Sequence, residues 1–555
     1  MAKKRNKDEY LAKAEADIDN GWKALPIFEA QRSAALLRLV TATDDRIRMT
    51  VLKNMPVEAQ FSMGTRWSID ALTTAMPWIF STCPNNNEPL PELISEPEYK
   101  EGSNLAEYAE GYDAAVIAFT NLHQGRFQAF VANHEPRITF AHASEEVALA
   151  ELEKRAYEVY ENRTELPDSL QSDEKLKPLL LLREIVPTKA EKGTGDRVKL
   201  KFDDELKAAV RNVAAVELEV HRTEIPETTA FSGVAYASIR KVQAALAALG
   251  TAHEFLHLSS ILRDINGGAV SSLTFRADTN ELNALIAAVA ELSVQETTQI
   301  LPLLTFDGAM PALGSLGQLL ISPNGHEVVM PRAYSKGGRW ERNLLKWMAR
   351  NPATKRQYDS FSAQKEGIAL PSLLSLLQKA KVIARDSVPI SDAGRAITDV
   401  DILAFDPRDG CLLVMQHKWL IEPDTVNESK ACDAELEKGI EQARTSKTYL
   451  NNQDYARQLL QGIPAAGYAR LEGIVICKGM EPTGFVRETD VPVVTERWFT
   501  ETFTESRGLG NLYDLAKTRP DRKQLAADWR NEFNSWYIAG YELRLPVMAQ
   551  IIKSE

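Results

Sequence analysis

Residues 397–420, ITDVDILAFDPRDGCLLVMQHKWL, decide how the second half of this chain folds. Two apolar runs flank DPRDG, and Asp-Gly between such runs is a strong hairpin signal, so strands are predicted at 397–405 and 411–418. Side chains alternate along a strand. Asp399 and Asp401 should therefore share one face while Val400 and Ile402 point the other way, and Gln416 and Lys418 should share a face in turn. Pairing the two strands would gather two carboxylates, an amide and an ammonium at one end of a sheet. Burying such groups together is costly unless an ion or mutual pairing compensates, so the cluster points to function. Carboxylate and amide oxygens are hard ligands that suit Mg2+ or Mn2+ rather than zinc. The plain alternative is an Asp399 that solvates a strand end and a Lys418 that snorkels at the sheet edge.

Outward from this hairpin, RWERNLLKWMAR and LPSLLSLLQKAKV read as helices upstream. Downstream come a helix in DAELEKGIEQARTSKTYL, a strand in LEGIVICKG, and a strand leading into a helix in VPVVTERWFTETF. Helices alternating with strands predict a mixed α/β sheet covered by helices on its faces.

In this arrangement the chain resembles the PD-(D/E)xK, or restriction-endonuclease-like, nucleases, in the variant where Gln replaces the usual acid to give Q-x-K. The likeness spans about residues 335–500 and rests on Asp401 in TDVDILAFD, on QHK at 416–418, and on the flanking order of elements. The stretch from MQHKWLIEPD to KGIEQA also looks like bacterial proteins with a Q-L-K-W form of the motif. The resemblance implies that Asp401, the Gln416 side-chain oxygen and the His417 carbonyl hold Mg2+ or Mn2+, with Lys418 orienting the attacking water. It further implies a metal-ligand role for Glu341, matched to an upstream helical Glu, and a place facing the site for Gln442. Gln416 leaves the cage one negative charge short, which Glu341 or Asp399 could supply. His417 is expected to face away from Gln416 and Lys418. The implied activity is metal-dependent phosphodiester hydrolysis, in DNA first of all, with defence against phage DNA as an open role. The missing acid also leaves open a non-catalytic nucleic-acid-binding module.

The net charge of −12 discourages a nucleic-acid partner, but it is uneven. Residues 1–330 hold 33 Lys and Arg against 47 Asp and Glu, and residues 331–555 hold 32 against 30, so the acidity belongs to the first part. From Arg332 to Arg356 there are eight basic residues and one acid, Glu341. Such a field could meet phosphates through Arg339, Arg342 and Lys346, alongside Gln442; a solvated helix face is the alternative.

At 555 residues the chain exceeds one core. Punctuation at 186–199 (VPTKAEKGTGDRVK) and 321–340 (ISPNGHEVVMPRAYSKGGRW) predicts three blocks. These are an α+β region at 1–185 that regulates or oligomerises, a mainly helical region at 186–330, and the nuclease-like domain at 331–555. The first two together are mainly α with some β. Within them, CPNNNEPLPELISEPEYKEGSN (83–104) reads as a long loop, DAAVIAFT (113–120) and RFQAFVA (126–132) as extended segments, and Ser293 with Glu296 as a capping box. No run reaches the length of a membrane span and MAKKRNKDEY leads into no apolar segment, so a cytoplasmic protein is expected. Cys83, Cys411, Cys432 and Cys477 form no C-x-x-C pair and read as thiols.

One competing motif is present. HEFLH at 253–257 matches H-E-x-x-H, in which two His on one helical face bind zinc and the Glu acts as base; Glu281 could be a third ligand of a zinc peptidase. Gly250 just before it, Ser259 and Ser260 just after it, and the absence of N-E-x-x-S-D favour an ordinary helix. No G-x-x-x-x-G-K-[ST] and no G-x-S-x-G occur.

Overall fold

The computed structural model describes residues 7–550 except 53–56, 133–135, 163–172, 193–197, 221–224, 228, 232, 263–272, 309–317, 338–339, 424–425, 481, 484–485 and 487–489. Among these residues no helix is long and apolar enough to cross a membrane. The chain divides into two compact units, both discontinuous in sequence. The first takes residues 1–116, 165–358 and 536–542; the second takes 117–164, 359–535 and 543–555. This differs from three consecutive blocks. The basic helix Trp340–Arg350 falls in the first unit, and residues 117–164 and 543–555 enter the second.

The first unit is mainly helical. Its helices include Arg32–Leu52, Asp204–Val220, Tyr236–Leu262 and Thr279–Ala290, beside a small sheet that pairs Phe275–Asp278 with Glu327–Met330. The capping box is formed: Ser293 Oγ accepts from the Glu296 N–H at 3.2 Å, and the Glu296 carboxylate accepts from the Ser293 N–H at 3.0 Å.

Two readings of the N-terminal region need correction. Residues 113–120 are not extended but end a helix, Glu96–His123, which also begins inside the expected loop at 83–104. Within 113–120 the buried positions are Ala114, Ala115, Ala118 and Phe119, a helical spacing that an eight-residue apolar run conceals. Phe127–Val131 is a strand, paired antiparallel with Arg137–His142.

The second unit is built on a five-stranded sheet. Its elements here are α1 (Lys355–Lys379), β1 (Ile383–Asp392), β2 (Arg395–Asp406), β3 (Cys411–Trp419), α2 (Val426–Leu450), β4 (Arg470–Lys478), β5 (Val493–Thr495), α3 (Glu496–Glu505) and α4 (Leu509–Thr518). The strands lie in sequence order, β1, β2 and β3 antiparallel, then β3, β4 and β5 parallel. The β2–β3 turn closes with the Gly410 N–H donating to the Asp406 carbonyl at 2.9 Å, and Gly410 sits at φ +67°, where glycine meets no steric penalty.

Strand alternation makes this sheet the middle of three layers. Cys411, Leu413 and Met415 of β3 pack with Ile402, Ile474 and Ile476 against α1, α3 and α4. Leu412 and Val414 face the opposite way, with Leu403, Phe405 and Val475, against α2. Helix α2 buries Asp433, Leu436, Gly439, Ile440, Ala443, Ser446 and Leu450, a stripe recurring every three or four residues. Full burial of each large aliphatic in that stripe contributes about 1.5–3 kcal/mol. Mixed α/β architecture with helices on both sheet faces is thus observed for this unit.

Candidate active site

The site lies where the β2–β3 ladder stops. Its last backbone pair is Ile402 with Met415. Beyond that pair side chains take over the bridging. The Gln416 amide nitrogen donates to the Asp399 carbonyl at 2.7 Å, and the His417 N–H donates to Asp401 Oδ2 at 2.6 Å. Asp401 and Gln416 are 6% and 0% exposed, whereas Asp399 is exposed. The residue expected to offer a second carboxylate thus contributes its backbone oxygen.

The alternation expected for Asp399 and Asp401 fails between Val400 and Ile402. Val400 packs with Leu403 on the α2 side of the sheet, while Ile402 packs on the other side. Positions 400 and 402 therefore do not share a face. On the neighbouring strand β1, Asp386 pairs with Ile402 and Val388 with Val400, but Ser387 adopts φ +48°. A left-handed residue within a strand rotates the chain and resets which side each later residue faces. Asp401 sits directly across from this rotation, at the point where the second strand changes face between Val400 and Ile402.

Lys418 is half-buried on the α2 side, and its Nζ donates to Gln442 Oε1 at 2.9 Å. Gly439 lets α2 come this close: a Cβ there would stand 3.2 Å from Lys418 Cε and 3.4 Å from the Val475 methyls. Gln416 Oε1 is buried and has no hydrogen-bond partner among the described residues. Leaving a buried carbonyl oxygen unpaired costs about 1–3 kcal/mol. His417 faces the other way, with Nε2 3.1 Å from Glu496 Oε2 on α3.

The structure does not bring every expected residue here. Glu341 belongs to the first unit, where its Oε1 accepts from the Ile225 N–H at 2.9 Å. Its role as a ligand beside Asp401 has no geometric support. Arg342 shares the same helix and is half-buried; Lys346 is only 5% exposed, so it offers phosphates little surface. Burial lowers the Arg350 pKa from its usual value. The helix is not an open basic stripe, because its buried side takes Lys346 along with Leu345 and Met348. Arg339 lies outside the described residues.

Among the described residues no three or more His, Cys, Asp and Glu side chains converge as a metal cage. The donors at the β2–β3 end are therefore few and oxygen-rich: the Asp401 carboxylate and the Gln416 amide oxygen. That set fits a hard divalent cation held weakly, and it does not fit zinc.

HEFLH lies on the helix Tyr236–Leu262. His253 meets the Phe275 ring edge-on at 5.6 Å, Glu254 is ion-paired to Arg332, and Glu281 is exposed in the first turn of its own helix. The His257 side chain lies outside the described residues. All four cysteines are free thiols.

Sequence reasoning passed over Glu496 and Ser387. An acid directly after Thr495 is a helix-start signal, and Thr495 does cap α3 by accepting from the Trp498 N–H. No sequence rule marks a serine as left-handed. No family model, no curated protein and no solved structure matches this chain.

Proposed function

We propose that this protein is a metal-dependent nuclease of the PD-(D/E)xK kind, in its Q-x-K form, that hydrolyses phosphodiester bonds in DNA. The observation that carries the reading is the meeting of buried Asp401, buried Gln416 with its unpartnered oxygen, and Gln442-braced Lys418 at one end of a mixed sheet. The sheet order, with a hairpin leading into a β-α-β crossover, supports a restriction-endonuclease-like fold for the second unit.

Asp401 and the Gln416 side-chain oxygen would hold Mg2+ or Mn2+. When bound, the ion supplies positive charge that polarises a phosphodiester and acidifies a coordinated water. Lys418 places an ammonium beside that point, where it offsets negative charge gathering on the phosphate oxygens and orients the water. Gln442 accepts one ammonium hydrogen and so fixes its direction. With a single carboxylate in the donor set, metal binding should be weak and activity should need millimolar rather than micromolar cation. The DNA contacts expected of Arg339, Arg342 and Lys346 form no part of this reading. A cytoplasmic setting, self-association and a part in defence against phage DNA accompany it as proposals.

The test is incubation of the full chain with plasmid, linear duplex and single-stranded DNA in Mg2+, Mn2+ or EDTA, beside Lys418→Ala. Cleavage that needs the metal and disappears in the variant supports the reading and its site. Binding of DNA without cleavage under any metal would replace the enzyme by a non-catalytic binding module.

A further inference from the structure

The other sheet of the second unit ends in an open edge. In order across it stand Phe127–Val131, Arg137–His142, Tyr541–Gln550 and Trp529–Ile538, so the last of these, a strand of ten residues, has a strand neighbour on one side only among the described residues. In its stretch within the second unit, Trp529–Ser535, the residues Arg530, Asn531, Phe533, Asn534 and Ser535 are exposed, on both faces of the strand. Such edges are usually blunted by Pro, Lys, a bulge or shortness. Residues 529–538 hold no Pro and no Lys, and none of them has a left-handed backbone. Their only charges are Arg530 and Glu532, which cancel, with Arg530 Nε donating to Glu532 Oε1 at 2.7 Å. The turn Ala539–Gly540 has φ +50° and +81°, the geometry of a two-residue hairpin that closes on Ile538 and Tyr541 as a hydrogen-bonded pair. Both strands run ten residues, so the alternation carries back from that pair. Arg530, Glu532 and Asn534 thus turn their backbone N–H and C=O toward Tyr541–Gln550, while Trp529, Asn531 and Phe533 turn theirs to the open side.

WRNEF, residues 529–533, is complementary to its own reverse. Laid antiparallel on a second copy about Asn531, it sets Arg530 opposite the partner's Glu532 and Trp529 opposite the partner's Phe533. Opposite-charge and aromatic pairs across strands stabilise a sheet, and like charges there destabilise it. The register also suits the backbone: Asn531, Trp529 and Phe533 offer the outward N–H and C=O groups, and Arg530 with the partner's Glu532 forms the non-hydrogen-bonded pair, where side chains stand closest. We propose that two copies of this chain pair antiparallel through Trp529–Phe533, about a two-fold axis at Asn531, joining their two sheets into one. The opposite edge, Phe127–Val131, holds no charge, so pairing with it would leave Arg530 and Glu532 without opposite partners and would propagate head to tail without closing. Five residues a side make a small interface, so the dimer is weak and reversible. The pairing does not rest on the nuclease reading.

The experiment is sedimentation velocity of the full chain over a wide concentration range, as wild type, Arg530→Glu, Glu532→Arg and Asn531→Pro. Wild type should pass reversibly from monomer to dimer as concentration rises. R530E sets acid opposite acid and E532R sets base opposite base, so each alone should weaken the dimer about tenfold. An equimolar mixture of R530E and E532R should dimerise again, because every acid then meets a base across the junction. N531P removes an outward N–H at the axis and should abolish pairing while the ladder to Tyr541–Gln550 stays intact. A wild type that is monomeric at every concentration would overturn the proposal, as would single variants that dimerise unchanged or a mixture that stays monomeric. Growth beyond the dimer would assign the edge to head-to-tail pairing and overturn the two-fold register.

Discussion

Lys418 Nζ and Gln442 Oε1 stand 2.9 Å apart, joining the third strand of the sheet to the helix that crosses over it. The bond takes one of three ammonium hydrogens, so the charge is held in place and two donors remain for other acceptors. Gln442→Ala should leave the charge and release its direction. We expect kcat for the proposed DNA cleavage to fall about 10–100-fold with little change in KM or Mn2+ affinity, since misplacing a group with the role proposed for Lys418 costs on that order. Single-turnover cleavage beside calorimetry checks this; an unaltered kcat would remove Gln442 from the site.

Gly439 gives a second handle on the same ammonium. An alanine there would put its Cβ 3.2 Å from Lys418 Cε, a contact that a flexible side chain relieves by moving. Stability to urea should change by no more than about 1 kcal/mol. Cleavage should fall further than that change explains, because the group that yields is Lys418. Equal losses of folding and activity would place the clash in the core instead.

Ser387 is exposed, so its left-handed backbone can be tested without disturbing packing. A β-branched residue tolerates that conformation poorly. Ser387→Val should cost about 1–3 kcal/mol in chemical denaturation, and Ser387→Gly should be near neutral or mildly stabilising. If valine is accepted at no cost, the rotation that separates Asp401 from Asp399 is not a fixed feature of the strand.

Asp44, in the first unit, is buried, with Oδ1 accepting from the Arg332 N–H at 2.8 Å and Oδ2 from the Thr274 hydroxyl at 3.1 Å. Burial raises its pKa to about 7 despite those bonds. A carboxyl whose folded pKa is raised stays protonated after the unfolded one has ionised, so the unfolded chain binds fewer protons and stability falls as pH rises from about 4 to 7. Glu110, also raised to about 7 by burial, adds to the same slope. Asp44→Asn should flatten the fall between pH 5 and 7.5 without abolishing it, as read from urea midpoints. A slope equal to wild type would mean that Asp44 is ionised in the folded protein throughout.

How much of this was legible beforehand depends on the range of the interaction involved. The hairpin is local, and Gly410 and the apolar runs beside it specify it. The meeting of Gln416 with Lys418 on one side of the third strand follows from alternation, as does the turning away of His417. The face change at Asp401 lies across from the left-handed Ser387 on the neighbouring strand, and nothing in the sequence near Asp401 announces it. The ligand role of Glu341 rests on the resemblance, which matches it to an upstream helical Glu, yet its carboxylate meets Ile225 within the first unit, a contact set by tertiary packing. The segment 113–120 is helical where an extended run is expected, because a short apolar run fits a strand and a buried helix turn equally well.

The second unit gathers its chain from three separate stretches, and one of its sheets seats Arg137–His142 against Tyr541–Gln550. The early hairpin of Phe127–Val131 and Arg137–His142 must therefore wait for a much later part of the chain before its sheet is complete. The sheet that carries Asp401 and Lys418 faces no such delay, since its strands follow one another in sequence order and can pair as they emerge. A chain cut before Trp529 would then carry its proposed chemical centre assembled and its other sheet incomplete. Exposed strand edges would then mark such a shortened copy for aggregation or degradation.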